Sequence, residues 1–215
     1  MSHLHVQHYS LQIFHIGKLL CCVFIDVQLK GLYNFIITTY EVQGLPSIEP
    51  QEKAYITAFT GHRTIAKNKF PLLTNALHKT INTLIGKGVT TYITGGALGF
   101  DTLAATAVLQ ARKVNPGIRL LLALPCTDQD AAWHENDKNT YRHILANADE
   151  TIYVSNRPHF KGCMELRNRY LIEHSGSLIA YMTRKRSGSA QTVRLAHEKG
   201  LTVINLAEME ADTVR

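Results

Sequence analysis

Three short segments of this 215-residue chain combine glycine with hydroxyl, cationic or carboxylate side chains in the manner of anion-binding loops: Thr60-Gly61-His62-Arg63, Thr94-Gly95-Gly96-Ala97-Leu98-Gly99-Phe100-Asp101 and Ser187-Gly188-Ser189-Ala190-Gln191-Thr192. In the first, Gly61 permits a tight turn and close ligand approach. Arg63 offers a fork that can bond a phosphate or carboxylate twice, and His62 can donate a bond or titrate near neutral pH. In the second, Gly95, Gly96 and Gly99 let backbone N–H groups face an anion, and the helix that follows adds its dipole. The spacing is GxxG, not GxGxxG, and no Gly-Lys-Ser/Thr follows as in a P-loop. Asp101 suits either a helix cap or the hydroxyls of a ribose. In the third, Ser187, Gly188 and Ser189 open a helix as a nest of amides, with Thr192 able to add a hydroxyl. The run Arg184-Lys185-Arg186 before it reads as a solvated loop, with contact to a phosphate tail the weaker alternative.

Two further regions carry reactive side chains. In Asp128–His134 the lone Trp133 can stack on a base or serve the core. On the helix expected over 162–174, Glu165 and Arg169 sit at i,i+4 and can pair on the surface, while Asn168 is three residues from Glu165 and able to share a pocket-facing side. Glu165 and Asp101 are the candidate catalytic carboxylates if a glycosidic bond is cut, since such chemistry needs a carboxylate set against the anomeric carbon or a water. Cys126 has no base nearby in sequence, and a buried, inert thiol is the expectation for it and for Cys163. No His, Asp, Glu or Cys repeat has ligand spacing, so neither a metal nor another cofactor is expected.

The elements that must position these loops follow from residue 55 onward. AYITAFTG, GVTTYITGGA, IRLLLALPC, TIYVS, SLIAYM and LTVINL read as six strands. Between them, 68–86 carries Leu72, Leu73, Leu77, Ile81, Leu84 and Ile85 at helical spacing, with Pro71 in its first turn. Further helices are expected over FDTLAATAVLQARKV, 131–147, 162–174 and SAQTVRLAHEK. The run IRLLLALPC is apolar almost throughout, as a strand buried on both faces requires. This alternation predicts an α/β, Rossmann-like, doubly wound and mainly parallel sheet. Ligands in such sheets collect beyond the carboxyl ends of the strands, where all three loops fall.

Composition narrows the partners. Residues 1–50 hold two Lys and three Asp/Glu, and 51–215 hold 21 Lys/Arg and 14 Asp/Glu, so the charge is −1 on the first part and +7 on the second. A basic folded part favours an anionic partner, either a phosphorylated small molecule or, with weaker support, nucleic acid. Cys21, Cys22, Cys126 and Cys163 form neither a zinc knuckle nor a disulfide ladder, which predicts reduced thiols of a cytoplasmic protein. The apolar run Leu19–Ile25 is too short for a membrane span and no cleavage site follows it, so no membrane partner is expected. Residues 1–52 read as a separate extension. Its stretches LLCCVFIDVQL and GLYNFIITTY suit strands, a short hairpin or no fold of their own, and a native start near Lys53 is an alternative. Residues 53–215 read as one ligand-binding domain.

Taken together, TGHR, TGGALGFD, the Trp-His segment, NADETIYVS, MELRNRYLIEHS, SLIAYM and SGSAQTVRLAHEKG resemble the YpsA/YoqJ-like branch of the SLOG superfamily over about 55–206. That Rossmann-like group also includes the DNA-processing protein DprA and the LOG phosphoribohydrolases. The resemblance implies a nucleotide or nucleotide-derived ligand, lined by the Gly95–Asp101 and Ser187–Thr192 loops with Arg63 and Asn168 close by. It also implies that homo-oligomers are plausible. The chain departs from the family's SGGTANT-like loop at Ser189 and Ala190. It lacks the glutamate of the PGGxGTxxE motif of LOG enzymes, since Ser187 to Leu195 contains no carboxylate. The leading expectation is therefore a nucleotide-ligand binder or sensor. A nucleotide N-glycosidase and a DprA-like DNA-associated protein are the alternatives.

Overall fold

The computed structural model describes residues 50–208 together with one short antiparallel pair, His15–Ile16 against Leu19–Leu20. The chain divides into two units, 1–40 and 41–215. That pair is all that is described of the first unit, and the other expectations for its apolar stretches lie outside the described residues.

In the second unit, β1 (Ile56–Gly61), β2 (Thr91–Thr94), β3 (Arg119–Leu124), β4 (Glu150–Tyr153), β5 (Ser177–Tyr181) and β6 (Thr202–Asn205) form one sheet. Its order is β4-β3-β2-β1-β5-β6, with every pairing parallel. The helices between them are α1 (Phe70–Gly86), α2 (Phe100–Arg112), α3 (Glu135–Asn147), α4 (Cys163–Glu173) and α5 (Gly188–Glu198). This is the expected Rossmann-like α/β fold.

Alternation along the strands divides the core into two layers. Phe59, Tyr92, Leu120 and Leu122 pack with α1, α2 and α3, whereas Ala58, Ile93, Leu121 and Ala123 pack with α4 and α5. Both faces of β3 are thus dry, which explains why its sequence shows no polar alternation. Of the apolar positions on α1, Leu73, Leu77, Ile81 and Leu84 are buried while Leu72 remains exposed. A fully buried leucine or isoleucine contributes roughly 1.5–3 kcal/mol, so these four, Leu84 a little less than the others, anchor the helix.

Two boundaries differ from expectation. Residues 67–69 form a single 3-10 turn, and α1 begins at Phe70 with Pro71 in its first turn. The helix expected from 131 starts at Glu135 because His134 is extended (φ −66°, ψ 152°). Upstream, Asp128 accepts a bond from the His159 amide at 2.6 Å, which holds the polar segment as turns.

After β1 the chain moves outward through β2, β3 and β4, then returns to the other side of β1 as β5. The loops leaving β1 and β5 therefore diverge from adjacent strands and open a crevice between them. Thr57 and Ser177 share a hydroxyl–hydroxyl bond of 2.7 Å that ties these two strands at their amino-terminal ends, away from the crevice.

Candidate functional site

A cavity of about 300 Å³ occupies this crevice at the carboxyl ends of the strands. The loop after β1 supplies Gly61, His62 and Arg63, the start of α2 supplies Asp101, α4 supplies Asn168, and the entry to α5 supplies Ser187, Gly188 and Ser189. Eight residues expected at the site thus share one cavity. Arg167, Met164 and Arg184 join them; the sequence favoured a solvated loop for Arg184 and pointed to neither Arg167 nor Met164 as a contact.

The loops are locked to each other by backbone. The Phe100 amide donates to the His62 carbonyl at 3.1 Å. Gly99 makes this approach possible: its φ is +80°, and a Cβ there would run into the Arg63 carbonyl. His62 is buried, and its Nε2 accepts the Thr183 amide at 2.9 Å, so the neutral ring carries its proton on Nδ1. Burial, and secondarily the Arg184 guanidinium, push the His62 pKa below the usual imidazole value.

Asp101 and Arg167 form the buried centre. Arg167 Nη1 lies 3.4 Å from Asp101 Oδ2, with each side chain only 7% exposed. The same carboxylate oxygen accepts the Ala97 amide at 3.3 Å, and Arg167 Nε donates to Asn168 Oδ1 at 2.9 Å. Burial pushes the Asp101 carboxyl up, opposed by Arg167, the Ala97 amide, Arg63 and the Thr94 hydroxyl. Burial likewise pulls the Arg167 pKa down, but a guanidinium stays charged inside proteins. Gly95 explains why the pair fits, because any Cβ at Gly95 would overlap the guanidinium that lies across it.

Gly96 sits deeper, against Leu124, Gln129 and Tyr141, where Gln129 Nε2 donates to the Gly96 carbonyl at 3.0 Å. The second loop therefore presents Ala97 and Asp101 to the cavity, and Gly95 and Gly96 serve as seats for other side chains.

At the third loop, Ser187 caps α5 by accepting the Ala190 amide at 3.1 Å, and donates to the Arg184 carbonyl at 3.1 Å. The first N–H groups of a helix have no partner within it, and α5 turns this end toward the cavity at Gly188 and Ser189. Thr192 is buried one turn further on and donates to the Gly188 carbonyl at 3.1 Å.

Gly95, Gly96, Gly99 and Thr192 are not in the cavity lining, and two further expected residues lie apart from it. Trp133 packs edge-on against Tyr141, ring centres 5.1 Å apart, on the α1–α3 side of the core. Glu165 is exposed and its carboxylate accepts Arg169 Nη2 at 3.1 Å, the i,i+4 surface pair. Cys126 and Cys163 are free and buried, and burial pushes the Cys126 thiol up to about 11. No cluster of metal-ligating side chains and no helix long and apolar enough to cross a membrane occurs among the described residues.

Three guanidinium groups, Arg63, Arg167 and Arg184, therefore face the cavity against a single carboxylate, Asp101. With an amide-rich helix start between them, the arrangement can hold an anion and orient the group attached to it.

Known proteins share this architecture. The solved structure of DprA from Streptococcus pneumoniae matches with a TM-score of 0.52 at 22% identity, covering 70% of this chain and 50% of that one. This chain thus spans about half the length of that protein. The structure describing single-stranded DNA binding by DprA from Helicobacter pylori matches with a TM-score of 0.51 at 21% identity, over 72% of this chain and 67% of that one. Among curated sequences, the SPbeta prophage-derived protein YoqJ of Bacillus subtilis (strain 168) is 33% identical over 116 residues, which is 49% of this chain and 68% of YoqJ. A UPF0398 protein of Bacillus cereus (strain G9842) is 29% identical over 154 residues, 67% of this chain and 84% of the relative. The YpsA model, described as the YspA SLOG family, matches residues 58–202, a span containing all three loops, and on that match the chain belongs to the YpsA SLOG family.

Proposed function

We propose that the cavity binds a nucleotide or nucleotide-derived ligand through its phosphate. The observation that carries this reading is the surplus of guanidinium groups, three against one carboxylate, around a cavity at the strand-order reversal. In this reading the phosphate meets Arg63, Arg184 and the amides of Gly188 and Ser189. Arg167, held by Asp101, supplies a fixed positive charge behind them. Asn168 and the Ser189 hydroxyl remain to orient the sugar.

The test is a thermal-shift screen of the full chain against nucleotides and ADP-ribose-like compounds, with every ligand then examined by mass spectrometry for loss of its base. A phosphorylated ligand that stabilises the protein and is recovered intact is the expected result. Arg63→Ala should weaken such a ligand by about tenfold or more while leaving its unphosphorylated analogue nearly unchanged. Equal losses for both would sink the phosphate assignment.

Base release would favour the N-glycosidase reading, and the geometry then nominates Asp101, the carboxylate on the cavity wall. Glu165→Gln should leave any such turnover unchanged, because Glu165 is exposed and paired with Arg169. Single-stranded DNA is the remaining candidate, on the likeness to DprA and the cations Arg63, Arg184, Lys185 and Arg186 at the cavity and the adjoining loop. It predicts binding that weakens steeply as salt rises.

A further inference from the structure

Among the described residues, only α4 and α5 cover the sheet face opposite the one packed by α1, α2 and α3. Over the amino-terminal ends of β1 to β4 this leaves a second concavity of about 410 Å³, at the far end of the strands from the arginine-lined cavity. Its floor is one isoleucine or leucine from each strand, Ile56, Ile93, Leu121 and Ile152. Its wall is the last turn of α4, where the ring of His174 stacks on Tyr170 with centres 3.8 Å apart.

His174 is 9% exposed, and its Nδ1 lies 2.8 Å from the Tyr170 carbonyl. A carbonyl only accepts, so Nδ1 carries the hydrogen and Nε2, across the ring, carries the lone pair. Among the described residues nothing donates to that Nε2. Burial lowers the affinity of His174 for a second proton, which keeps Nε2 an acceptor. At the rim stand two carboxylates. Glu150 receives one guanidinium bond, from Arg119 at 3.4 Å, and Glu52 has no ion-pair partner among the described residues. The site thus joins an apolar floor to polar groups dominated by acceptors. A purely apolar guest would cover Nε2 without offering it a donor, and an anion would meet two carboxylates against one guanidinium.

We propose that this concavity is a second binding site, for a small organic ammonium ion whose hydrocarbon or aromatic body lies on Ile56, Ile93, Leu121 and Ile152 and whose N–H groups bond to His174 Nε2 and the Glu52 and Glu150 carboxylates. The site shares no residue with the arginine-lined cavity, so it stands or falls independently of the nucleotide reading.

The probes are 2-phenylethylammonium, its neutral isostere 2-phenylethanol and the anion 3-phenylpropionate, titrated into the full chain and followed by backbone amide NMR shifts. The ammonium ion should saturate at about tenfold lower concentration than the other two, with shifts confined to β1–β4 starts and the end of α4. Glu52→Gln, an exposed change that leaves the core intact, should weaken it about tenfold, as should His174→Phe, which keeps a ring on Tyr170 but removes Nε2. Arg63→Ala, in the other cavity, should leave the ammonium ion's titration at this site as it is in the wild type. Indifference to probe charge, absence of saturation, shifts centred on Arg167, or binding untouched by Glu52→Gln would each overturn the proposal. So would self-association through this face that the ammonium ion fails to displace.

Discussion

At the scale of single residues, the ion pair between Asp101 and Arg167 dominates the site's physics. Both groups have left water, and their attraction offsets much of that cost only while both are present. Asp101→Asn should therefore destabilise the fold by about 3 kcal/mol or more in urea unfolding, because Arg167 would stay buried without a counter-charge. A loss within the range of a surface pair would mean that Arg167 escapes to solvent. His62 makes the site sensitive to acid. Its folded pKa lies below the unfolded value of 6.5, so its contribution is complete above that pH and is lost as pH falls through the folded pKa. Protonation would put a hydrogen on Nε2, where the Thr183 amide already points one. Wild-type stability should thus drop as pH falls below about 6.5, and His62→Asn, able to accept the same amide, should drop less. His174 shifts in the same direction, so the informative quantity is the difference between the two proteins.

At the scale of elements, the loops were legible in sequence and their division of labour was not. Glycine clusters before helices announce amides facing an anion, and Gly61, Gly188, Ser187 and Ser189 do line the cavity. Arg167 escaped notice because a cation among Glu165, Asn168 and Arg169 on a polar helix reads as a solvated face. Its burial depends on Gly95, seventy-two positions earlier by numbering, and on Asp101, a relation that no local pattern contains. Trp133 carried the reverse ambiguity, since an amphipathic ring suits a pocket wall and a core margin equally, and its contact with Tyr141 depends on how α3 packs. The cap of α5 offers a direct test at this scale. Ser187→Ala removes the acceptor for the Ala190 amide and should cost about 1 kcal/mol in stability. It should also weaken a phosphorylated ligand, since the loop carrying Arg184 loses its bond to that hydroxyl. Unchanged stability would show that water caps the helix equally well.

At the scale of the whole molecule, continuous apolar strands separated by amphipathic helices left few alternatives to a parallel sheet wrapped on both faces. The order β4-β3-β2-β1-β5-β6 is not visible in the strands themselves, because each reads as buried wherever it is placed. Only the loops hint at it, since a shared ligand requires the ends of β1, β2 and β5 to be neighbours. The uneven cover among the described residues, α1, α2 and α3 on one face and α4 and α5 on the other, is equally invisible to periodicity. One further consequence follows from the way Arg167 lies across Gly95. Its rotamer freedom is surrendered once, on folding, so a ligand bound as proposed would find that charge already aimed. Arg63, exposed at the mouth, would give up its freedom at every encounter, at roughly 0.5–1.5 kcal/mol each time. On that reading the two arginines would separate capture from aim: the exposed one would widen the range of approach, and the buried one would set a single orientation.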